Sequence, residues 1–455
     1  MTPLARISAA IALLDALESA PRRPADAVAN DFFRARRFIG GGDRRAVADR
    51  AWSVVRERAR LDWHLDHVGA APTGRLLMAA HMILAEGGSL AGVEAAFNGG
   101  QYAERPLSPD ERRFLAKLEG RAFLHPRMDE ATRLNVPEWA LPGLRARFGE
   151  ALPEAAAGLE GTAPLDLRVN LLRTTRDAAA AALAAEGIPT TPTPFSPWGL
   201  RVADRRPVLA TRAFAEGMIE IQDEGSQLIA LLADARPGMK VADYCAGAAG
   251  KTLAMAATMG NRGRIAALDV SVPRLAGATK RLRRAGVDNA ETHLLESGDR
   301  WVKRRAGTFD RVLVDAPCTG TGTWRRNPDA RLRTTESDMA ELITKQRAIL
   351  DRAASLVRPG GKLIYATCSV LPGEDDEQVR GFLDRHADFE AISLADAWAQ
   401  AGAASGVTGT PPGTPPGTPP GTPPGAPPGD GPFMALAPHS HGTDGFFAAV
   451  LQRRP

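Results

Sequence analysis

The sequence predicts an α/β protein with a mostly parallel, doubly wound sheet in its C-terminal half, preceded by a small α+β unit and an all-helical unit. From residue 236 onward, β-like and helical segments alternate, which is typical of a parallel sheet covered on both faces. Residues 1–130 are rich in Ala, Leu and Arg at helical spacing and carry little strand signal. A chain of 455 residues with 44% hydrophobic side chains is long enough for two or three such units.

The N-terminal unit, residues 1–130, is predicted to be all-helical, with helices over 46–65 and 76–86. Arginines crowd one part of it, with two tryptophans among them: Arg34, Arg36, Arg37, Arg44, Arg45, Arg50, Trp52, Arg56, Arg58, Arg60 and Trp63. Such a cluster is either a solvated helix face anchored by core tryptophans or a surface that binds phosphate groups. Taken alone, this segment favours the solvated face.

Residues 135–235 show short mixed elements that predict a small α+β unit, with a helix over 137–150, a strand over 165–172 and a helix over 175–186. Predicted strands of the C-terminal domain, residues 236–455, lie at 240–244, 264–269, 291–295, 311–315 and 362–367. The apolar run at 444–451 suits a final strand of the same sheet. Before it, at about 405–432, a Pro/Gly-rich insert repeats TPPG and has too few apolar side chains to fold, so it is predicted to be disordered.

The charge and the cysteine content of the chain indicate what kind of partner it has and where it is located. Lys and Arg number 57 against 53 for Asp and Glu, and the sequence pI of about 9.1 leans towards an anionic partner. Cys245, Cys318 and Cys368 are too few for a disulfide framework and lack the paired CxxC spacing of a zinc site. We therefore expect a reducing cytoplasmic location and no metal. No stretch approaches the roughly 20 apolar residues that span a bilayer, so no membrane partner is predicted.

The segment DYCAGAAGKT at 243–252 follows a predicted strand and opens a helix. Small residues at 246–250 let a ligand approach backbone N–H groups at the helix N-terminus. The segment is not a phosphate-binding P-loop, because Cys245 stands where that motif needs glycine. Asp269 ends the next predicted strand, where a carboxylate can accept hydrogen bonds from ribose hydroxyls. The pair fits a dinucleotide or an adenosyl cofactor, and a purely structural turn remains an alternative.

Two further segments place thiols at the ends of predicted strands. Cys318 lies in DAPCTGTGTW at 315–324, directly after one strand, and Cys368 lies in YATCS at 365–369, at the end of the next. Ligands bind at the carboxyl edge of a parallel sheet, so we expect both thiols to face one crevice. A single cysteine is more often a small buried hydrophobe, but two at one edge favour chemistry.

Together these segments resemble the RsmB/NOP/Sun family of RNA cytosine-5 methyltransferases. The resemblance covers about 135–400 and 442–451, and it rests on DYCAGAAGKT, IQDEGSQL, DAPCTGTGTWRRNPD, YATCSVLPGEDDEQV and the closing GFF. The N-terminal DFFRARRFIGGGDRR and RLDWHL resemble the NusB-like RNA-binding domain of the bacterial branch, which favours the phosphate-binding interpretation of the arginines. Where the family commonly has CAAPGGKT, this chain has CAGAAGKT, with Ala248 and Ala249 at the positions of Pro and Gly.

The resemblance implies a Rossmann-like methyltransferase domain that uses S-adenosylmethionine. It assigns Cys368 as the nucleophile that adds to carbon 6 of cytosine, Cys318 as the base that allows product release, and Asp315 as a hydrogen-bonding partner of the ring. The implied cofactor residues are Cys245, Ala246, Gly247, Ala248, Ala249, Gly250, Lys251, Asp269, Arg274, Asp299 and Asp315. The residues that we expect to contact RNA are Arg168, Asn170, Arg325 and Arg326.

The implied function is formation of 5-methylcytosine in RNA, with small-subunit ribosomal RNA as the first candidate and transfer RNA as the second. Two hypotheses from other classes remain: a non-catalytic RNA-binding or ribosome-assembly factor, and a methyltransferase for small molecules or proteins. Nothing in the sequence indicates a self-complementary surface, so we expect a monomer.

Overall fold

The computed structural model describes residues 1–204, 206–296, 300–404 and 431–455. Contacts divide the chain into two units, which are Met1–Glu160 with Trp324–Glu336 and Gly161–Thr323 with Ser337–Pro455. We call them unit 1 and unit 2. The predicted insert at about 405–432 lies almost entirely outside the described residues. The three-part division at 1–130, 135–235 and 236–455 stays a prediction, and the contacts group all of residues 1–160 with unit 1.

Unit 1 is built from helices. They are α1 Pro3–Glu18, α2 Ala25–Ala35, α3 Gly41–Arg56, α4 Arg58–Val68, α5 Gly74–Leu84, α6 Leu90–Ala96, α7 Pro109–Ala116, α8 Glu130–Leu134, α9 Leu141–Phe148 and α10 Leu152–Glu160. Side chains of Thr2, Thr73 and Ser89 accept hydrogen bonds from backbone N–H groups in the first turns of α1, α5 and α6, which fixes where these helices begin. Their apolar faces meet in one core, in which Leu13, Leu61 and Met78 are fully buried.

The segment Trp324–Glu336, with α17 at Ala330–Arg333, also belongs to unit 1. Trp324 is fully buried, and its ring packs edge-on against Trp139 with centroids 6.5 Å apart. Arg331 donates hydrogen bonds to the carbonyl oxygens of Asn135 and Leu159, at 3.1 and 2.8 Å. The segment is therefore a structural part of the helical unit.

Unit 2 begins with a four-stranded antiparallel sheet in the order β2-β3-β1-β4. Its strands are β1 Leu165–Val169, β2 Thr190–Pro192, β3 Gly199–Val202 and β4 Ile219–Ile221, with helices α11 Arg176–Ala185 and α12 Arg212–Ala215 between them. Leu167, Leu183 and Ile219 lie in a small apolar core between this sheet and α11. The elements match the strand and helix predicted for this stretch.

The second sheet of unit 2 is larger and mostly parallel. Its strands are β5 Lys240–Asp243, β6 Arg264–Asp269, β7 Ala290–Leu294, β8 Phe309–Asp315, β9 Val357–Thr367, β10 Phe389–Ile392, β11 Met434–Leu436 and β12 Phe446–Arg453. The order is β10-β12-β9-β8-β5-β6-β7, with β11 paired to β12. β5 to β9 pair in parallel, whereas β12 runs antiparallel between β9 and β10. The predicted doubly wound fold and its final strand are confirmed.

Helices cover both faces of this sheet. They are α13 Glu224–Leu232, α14 Gly250–Met259, α15 Val272–Ala285, α16 Trp301–Arg304, α18 Glu336–Ala354, α19 Asp376–Arg385, α20 Leu394–Ala404 and α21 Pro438–His441. Alternate strand residues enter different cores: Val241 packs with Leu228 and Met255 of α13 and α14, whereas Ala242 packs with Leu350 and Phe382 of α18 and α19. Both faces are buried, so the carboxyl edge of the strands is where side chains can reach a ligand.

Candidate active site

A cavity of about 790 Å³ opens at the carboxyl ends of β5, β6, β8 and β9. Its lining includes Cys245 to Ala248, Gly250, Lys251, Asp269, Arg274, Asp315, Cys318 and Cys368, all of them predicted site residues. The structure thus brings the three sequence segments together in one crevice. The lining comes from four strand ends because successive parallel strands present their carboxyl ends at the same edge.

The turn after β5 shapes one side of the cavity. Gly247 and Ala249 both have left-handed backbone conformations, with φ of 54° and 64°, and Ala249 is the N-cap of α14. Gly247 donates its N–H to Asp269 Oδ2 at 2.9 Å, and Ser271 donates to Asp269 Oδ1 at 2.8 Å. A Cβ added at Gly247 would meet no atom within 4 Å, so this backbone is open to a ligand.

Two arginines of unit 2, the half-buried Arg281 and the buried Arg168, support the same turn. Arg281 donates to the carbonyl oxygen of Ala248 at 2.8 Å, and Arg168 donates to that of Gly250 at 2.6 Å. Burial lowers the pKa of Arg168 to about 10, so the side chain remains a cation at neutral pH. The turn therefore keeps its shape through hydrogen bonds to its carbonyl oxygens and through the N–H groups of Ala246, Gly247 and Ala249, which bond within unit 2.

Charged groups line the floor of the cavity. Lys251 Nζ lies 2.6 Å from Asp315 Oδ2, which orients the Asp315 carboxylate. Asp243 is fully buried at the end of β5 and accepts a hydrogen bond from the Thr252 hydroxyl at 2.6 Å. Burial raises the pKa of Asp243 from 3.8 to about 6.

The two thiols meet on the other side of the cavity. Cys318 Sγ lies 3.4 Å from Cys368 Sγ, and both side chains are half-buried. The hydrogen bond to the Cys368 sulfur, followed by burial, raises the pKa of Cys318 well above its ordinary value. Burial likewise raises the pKa of Cys245 far above that of a free thiol, so Cys245 is poorly suited to act as a nucleophile.

Backbone contacts hold the loops that carry the thiols. Gly322 donates its N–H to the carbonyl oxygen of Cys368 at 3.0 Å, and Gly445 donates to the carbonyl of Gly322 at 2.8 Å. A Cβ at Gly322 would lie 2.1 Å from the carbonyl oxygen of Gly445, so only glycine fits there. The hydroxyls of Thr321 and Ser369 are also bonded, at 3.0 Å. The closing GFF segment thus braces the thiol loops.

The residues at the cavity fit S-adenosylmethionine. The open backbone at Gly247, the Asp269 carboxylate at the end of β6 and the exposed Val270 beside it offer polar and apolar contacts for an amino acid, a ribose and an adenine. Each oxygen of Asp269 accepts one backbone N–H and keeps a lone pair for a further donor. Arg274 is exposed at the same wall, and Asp299 lies outside the described residues.

Three of the four predicted RNA contacts need correction. Arg168 and Asn170 are 2% and 3% exposed, and both side chains bond within unit 2, Asn170 to the carbonyl oxygens of Gly217 and Ala285. Arg325, in unit 1, is 5% exposed. Buried side chains that already hold protein partners cannot reach a phosphate, so these three residues are structural. Arg326 is half-buried, and its RNA contact stays a prediction.

Sequence reasoning missed several residues at the cavity. Lys345 and Arg352 of α18 are exposed and line it, but a lone Lys or Arg on an amphipathic helix is usually a solvated side chain. Glu374 and Gln346 are fully buried beside the Cys318 loop. Glu374 lies in the acidic run GEDDE, a pattern typical of solvent exposure, so no local signal marked it as buried.

Two kinds of feature are absent from the described residues. None of the described helices is long and apolar enough to cross a membrane. Within the same residues, no group of three or more His, Cys, Asp or Glu side chains could hold a metal ion.

Fold and site together define the class: the protein is an S-adenosylmethionine-dependent methyltransferase. The model of the 16S rRNA methyltransferase RsmB/F family matches residues 230–452, and the model of the RsmF/B-like ferredoxin-like domain matches 136–209. The two models together cover more than half of the chain, and the chain belongs to the RsmB/NOP/Sun family of RNA methyltransferases.

Similar proteins agree with this family. A probable ribosomal RNA small subunit methyltransferase B of Synechocystis is 29% identical over 433 residues, covering 90% of this chain and 91% of the relative. Ribosomal RNA small subunit methyltransferase B of Pseudomonas putida is 34% identical over 267 residues, covering 59% and 61%. A solved methyltransferase homologue from Pyrococcus horikoshii has a TM-score of 0.56 at 26% identity, covering 71% of this chain and 97% of that one.

Proposed function

We propose that the protein methylates carbon 5 of a cytosine in small-subunit ribosomal RNA, with Cys368 as nucleophile and Cys318 as the base for release. The observation that carries the proposal is the 3.4 Å contact between the two sulfur atoms at the cavity edge. The names of the Synechocystis and Pseudomonas putida relatives support ribosomal RNA as the substrate. We further propose a cytoplasmic monomer.

Carbon 5 of cytosine is a weak nucleophile, so a protein must first activate the ring. Cys368 forms a bond from sulfur to carbon 6, and Asp315, oriented by Lys251, hydrogen-bonds the ring and stabilises the electron pair that develops towards carbon 5. S-adenosylmethionine, held by the 245–251 turn and Asp269, supplies the electrophilic methyl group. Cys318 then removes the carbon 5 proton, the electron pair re-forms the ring double bond, and Cys368 leaves as a thiolate.

The thiol pair suits this order of events. In the free protein the sulfur atoms of Cys318 and Cys368 share a hydrogen bond in which either can be the donor. Once Cys368 is bonded to carbon 6 of the ring, its sulfur is a thioether, which accepts hydrogen bonds only weakly. The main cause of the raised pKa of Cys318 is then weakened, so Cys318 loses its proton to solvent more readily and can act as a base.

Replacing each thiol tests the proposal. With bacterial small-subunit ribosomal RNA transcribed in vitro and S-adenosylmethionine, we expect Cys318→Ala to accumulate a covalent protein–RNA adduct on denaturing gels. We expect Cys368→Ala to form none. Absence of an adduct with correctly folded Cys318→Ala would instead favour the non-catalytic RNA-binding factor. An adduct with transfer RNA alone would change the substrate, and bisulfite sequencing of RNA from a deletion strain would locate the cytosine.

We also propose that unit 1 is a NusB-like RNA-binding domain and that only some of its arginines bind RNA. Arg58 and Arg60 are tied to acidic side chains of unit 1, Arg58 to Glu18 and Asp62. Arg34, Arg37 and Arg44 line an open cavity of about 560 Å³, where Arg34 pairs with the exposed Asp31 and Arg44 donates to the carbonyl oxygen of Ile39. Arg37 is exposed, and Phe38 beside it is 77% exposed, so a base can stack there while the arginines meet phosphates.

Alanine at positions 34, 37 and 44 is expected to weaken RNA binding and to lower the slope of log affinity against log salt by about 0.9 per lost phosphate contact. Alanine at Arg105, Arg112 and Arg113, which are 64%, 64% and 63% exposed in the same unit, removes the same number of charges and is the matched control. An equal loss in both variants would mean that net charge alone, and not the cavity, binds RNA.

A further inference from the structure

Glu374 is a fully buried carboxylate six residues beyond Cys368. It ends a short 3-10 turn at Pro372–Glu374. No Lys, Arg or His among the described residues forms an ion pair with it, and its bonds come from the Thr319 backbone N–H at 2.8 Å, the Thr319 hydroxyl and Gln346 Nε2 at 3.0 Å. A buried carboxylate without a cation is expensive, so its hydrogen bonds must be satisfied.

These bonds enclose the Cys318 loop on both sides. Thr319, which follows Cys318, gives both of its donors to Glu374. Gln346 of α18 donates to Glu374 and also to the carbonyl oxygen of Pro317, which precedes Cys318, at 3.0 Å. The backbone on either side of Cys318 is therefore fixed, while the thiol itself faces the cavity.

Cys368 is held by other groups. Its carbonyl accepts the Gly322 N–H, the neighbouring Thr367 hydroxyl donates to Asp375 Oδ1 at 2.6 Å, and Ser369 bonds Thr321. The Glu374 side chain bonds none of these residues. The Glu374 side chain therefore supports the backbone beside Cys318 directly, and it reaches Cys368 only through the 318–322 loop and the contact between the two sulfurs.

We infer that Glu374, acting through Thr319 and together with Gln346, is a positioning residue that holds Cys318 where it can reach the carbon 5 proton. Glu374 is not among the residues that line the cavity. The inference rests on the proposed function, because it assigns Glu374 to the release step of that reaction. It predicts a specific defect: attack by Cys368 persists, whereas release of the methylated RNA slows.

The test measures covalent adduct and methyl turnover in parallel, using the full chain, in-vitro-transcribed bacterial small-subunit ribosomal RNA and S-adenosylmethionine. With Glu374→Ala we expect release to slow about a hundredfold and adduct to accumulate as it does with Cys318→Ala. Glu374→Gln, which keeps an acceptor for Thr319, is expected to restore most of the turnover. Glu377→Ala removes an exposed acid from the same segment and serves as the control.

The outcomes separate the inference from the function on which it rests. If Cys318→Ala accumulates the covalent protein–RNA adduct and folded Glu374→Ala does not, the inference alone is overturned. The proposed reaction would then take place, but loss of Glu374 would not slow the release of the methylated RNA. No adduct with Cys318→Ala overturns the proposed function itself. If Glu374→Ala does not fold, Thr319→Val decides: adduct above the Glu377→Ala level supports the positioning role, and adduct at that level overturns it.

Discussion

The two sides of the cavity are built differently. On the thiol side, side chains and backbone groups are bonded to one another, and the Gly322 and Gly445 backbones lie too close for any added carbon. On the cofactor side, the turn over 245–251 is supported through its carbonyls, and Gly247 faces open space. The two sulfur atoms lie 3.4 Å apart, and only the protein can hold them there. A bound cofactor, by contrast, is positioned in part by its own contacts. The departures from the family motif, Ala248 and Ala249, fall on the open side.

Breaking the tight side should have the largest effect. Gly322→Ala places a carbon against the Gly445 carbonyl, and we expect a loss of about 3 kcal/mol of unfolding free energy with activity reduced beyond a hundredfold. Gly277→Ala in α15, where an added Cβ meets no atom within 4 Å, should instead stabilise by about 1 kcal/mol. Urea unfolding and methyl transfer measure both. Wild-type stability in Gly322→Ala would show that this contact is less constrained than it looks.

Removing the acid of the open side should weaken cofactor binding and leave the thiols in place. Asp269→Ala removes the acceptor for the ribose hydroxyls. It also leaves the N–H groups of Gly247 and Ser271 without their hydrogen-bond acceptor, so we expect the Kd for S-adenosylmethionine to rise about a hundredfold. Isothermal titration calorimetry gives the value, with the exposed Asp288→Ala as control. An unchanged Kd would contradict the ribose assignment.

The pH dependence of stability sharpens the comparison at the cavity floor. The folded-state pKa of Asp243 is raised from 3.8 to about 6, so the folded protein binds the proton more tightly than the unfolded chain. The contribution of Asp243 to the free energy of unfolding is fully present below pH 3.8 and is lost as the pH rises through about 6. The loss is at most about 3 kcal/mol. Asp243→Asn should remove that pH dependence and gain about 2 kcal/mol at pH 7. Thermal unfolding between pH 4 and 7 measures this dependence. If burial does not raise the pKa of Asp243, the stability of Asp243→Asn will depend on pH in the same way as that of the wild-type protein.

The smallest effect is expected at the motif departure itself. Ala249 adopts a left-handed conformation that glycine accepts without strain, but its methyl group is buried against Leu253 and Leu282. Ala249→Gly relieves the backbone strain, which stabilises the folded protein, and removes the packed methyl group, which destabilises it. Because the two effects oppose each other, the free energy of unfolding should change by less than about 1 kcal/mol. A larger loss, seen by urea unfolding, would mean that this turn is as tightly packed as the thiol loops.

Much of the fold could be predicted from the spacing of apolar residues in the sequence. Strand and helix alternation identified the parallel strands, and the prediction for β6 matches its observed bounds, Arg264–Asp269. The convergence of Cys318 and Cys368 also followed, because strand ends meet at one edge. Arg168 could not be placed, because its alternation in β1 predicts an outward side chain, whereas α13 packs against β1 and the first residue of α14 accepts its hydrogen bond. Glu374 was missed for a related reason: tertiary contacts, and not its acidic neighbours, decide its burial.

The segment Trp324–Glu336 has a consequence for how the protein comes to be made. Residues 1–160 of the helical unit are translated before Gly161–Thr323, yet Trp324, which packs on Trp139, is synthesised only after that segment. A nascent chain leaving the ribosome therefore carries an unfinished N-terminal unit with an open slot for an indole ring. A gene fragment ending at residue 160 would express that unfinished form, and chaperones are expected to retain it.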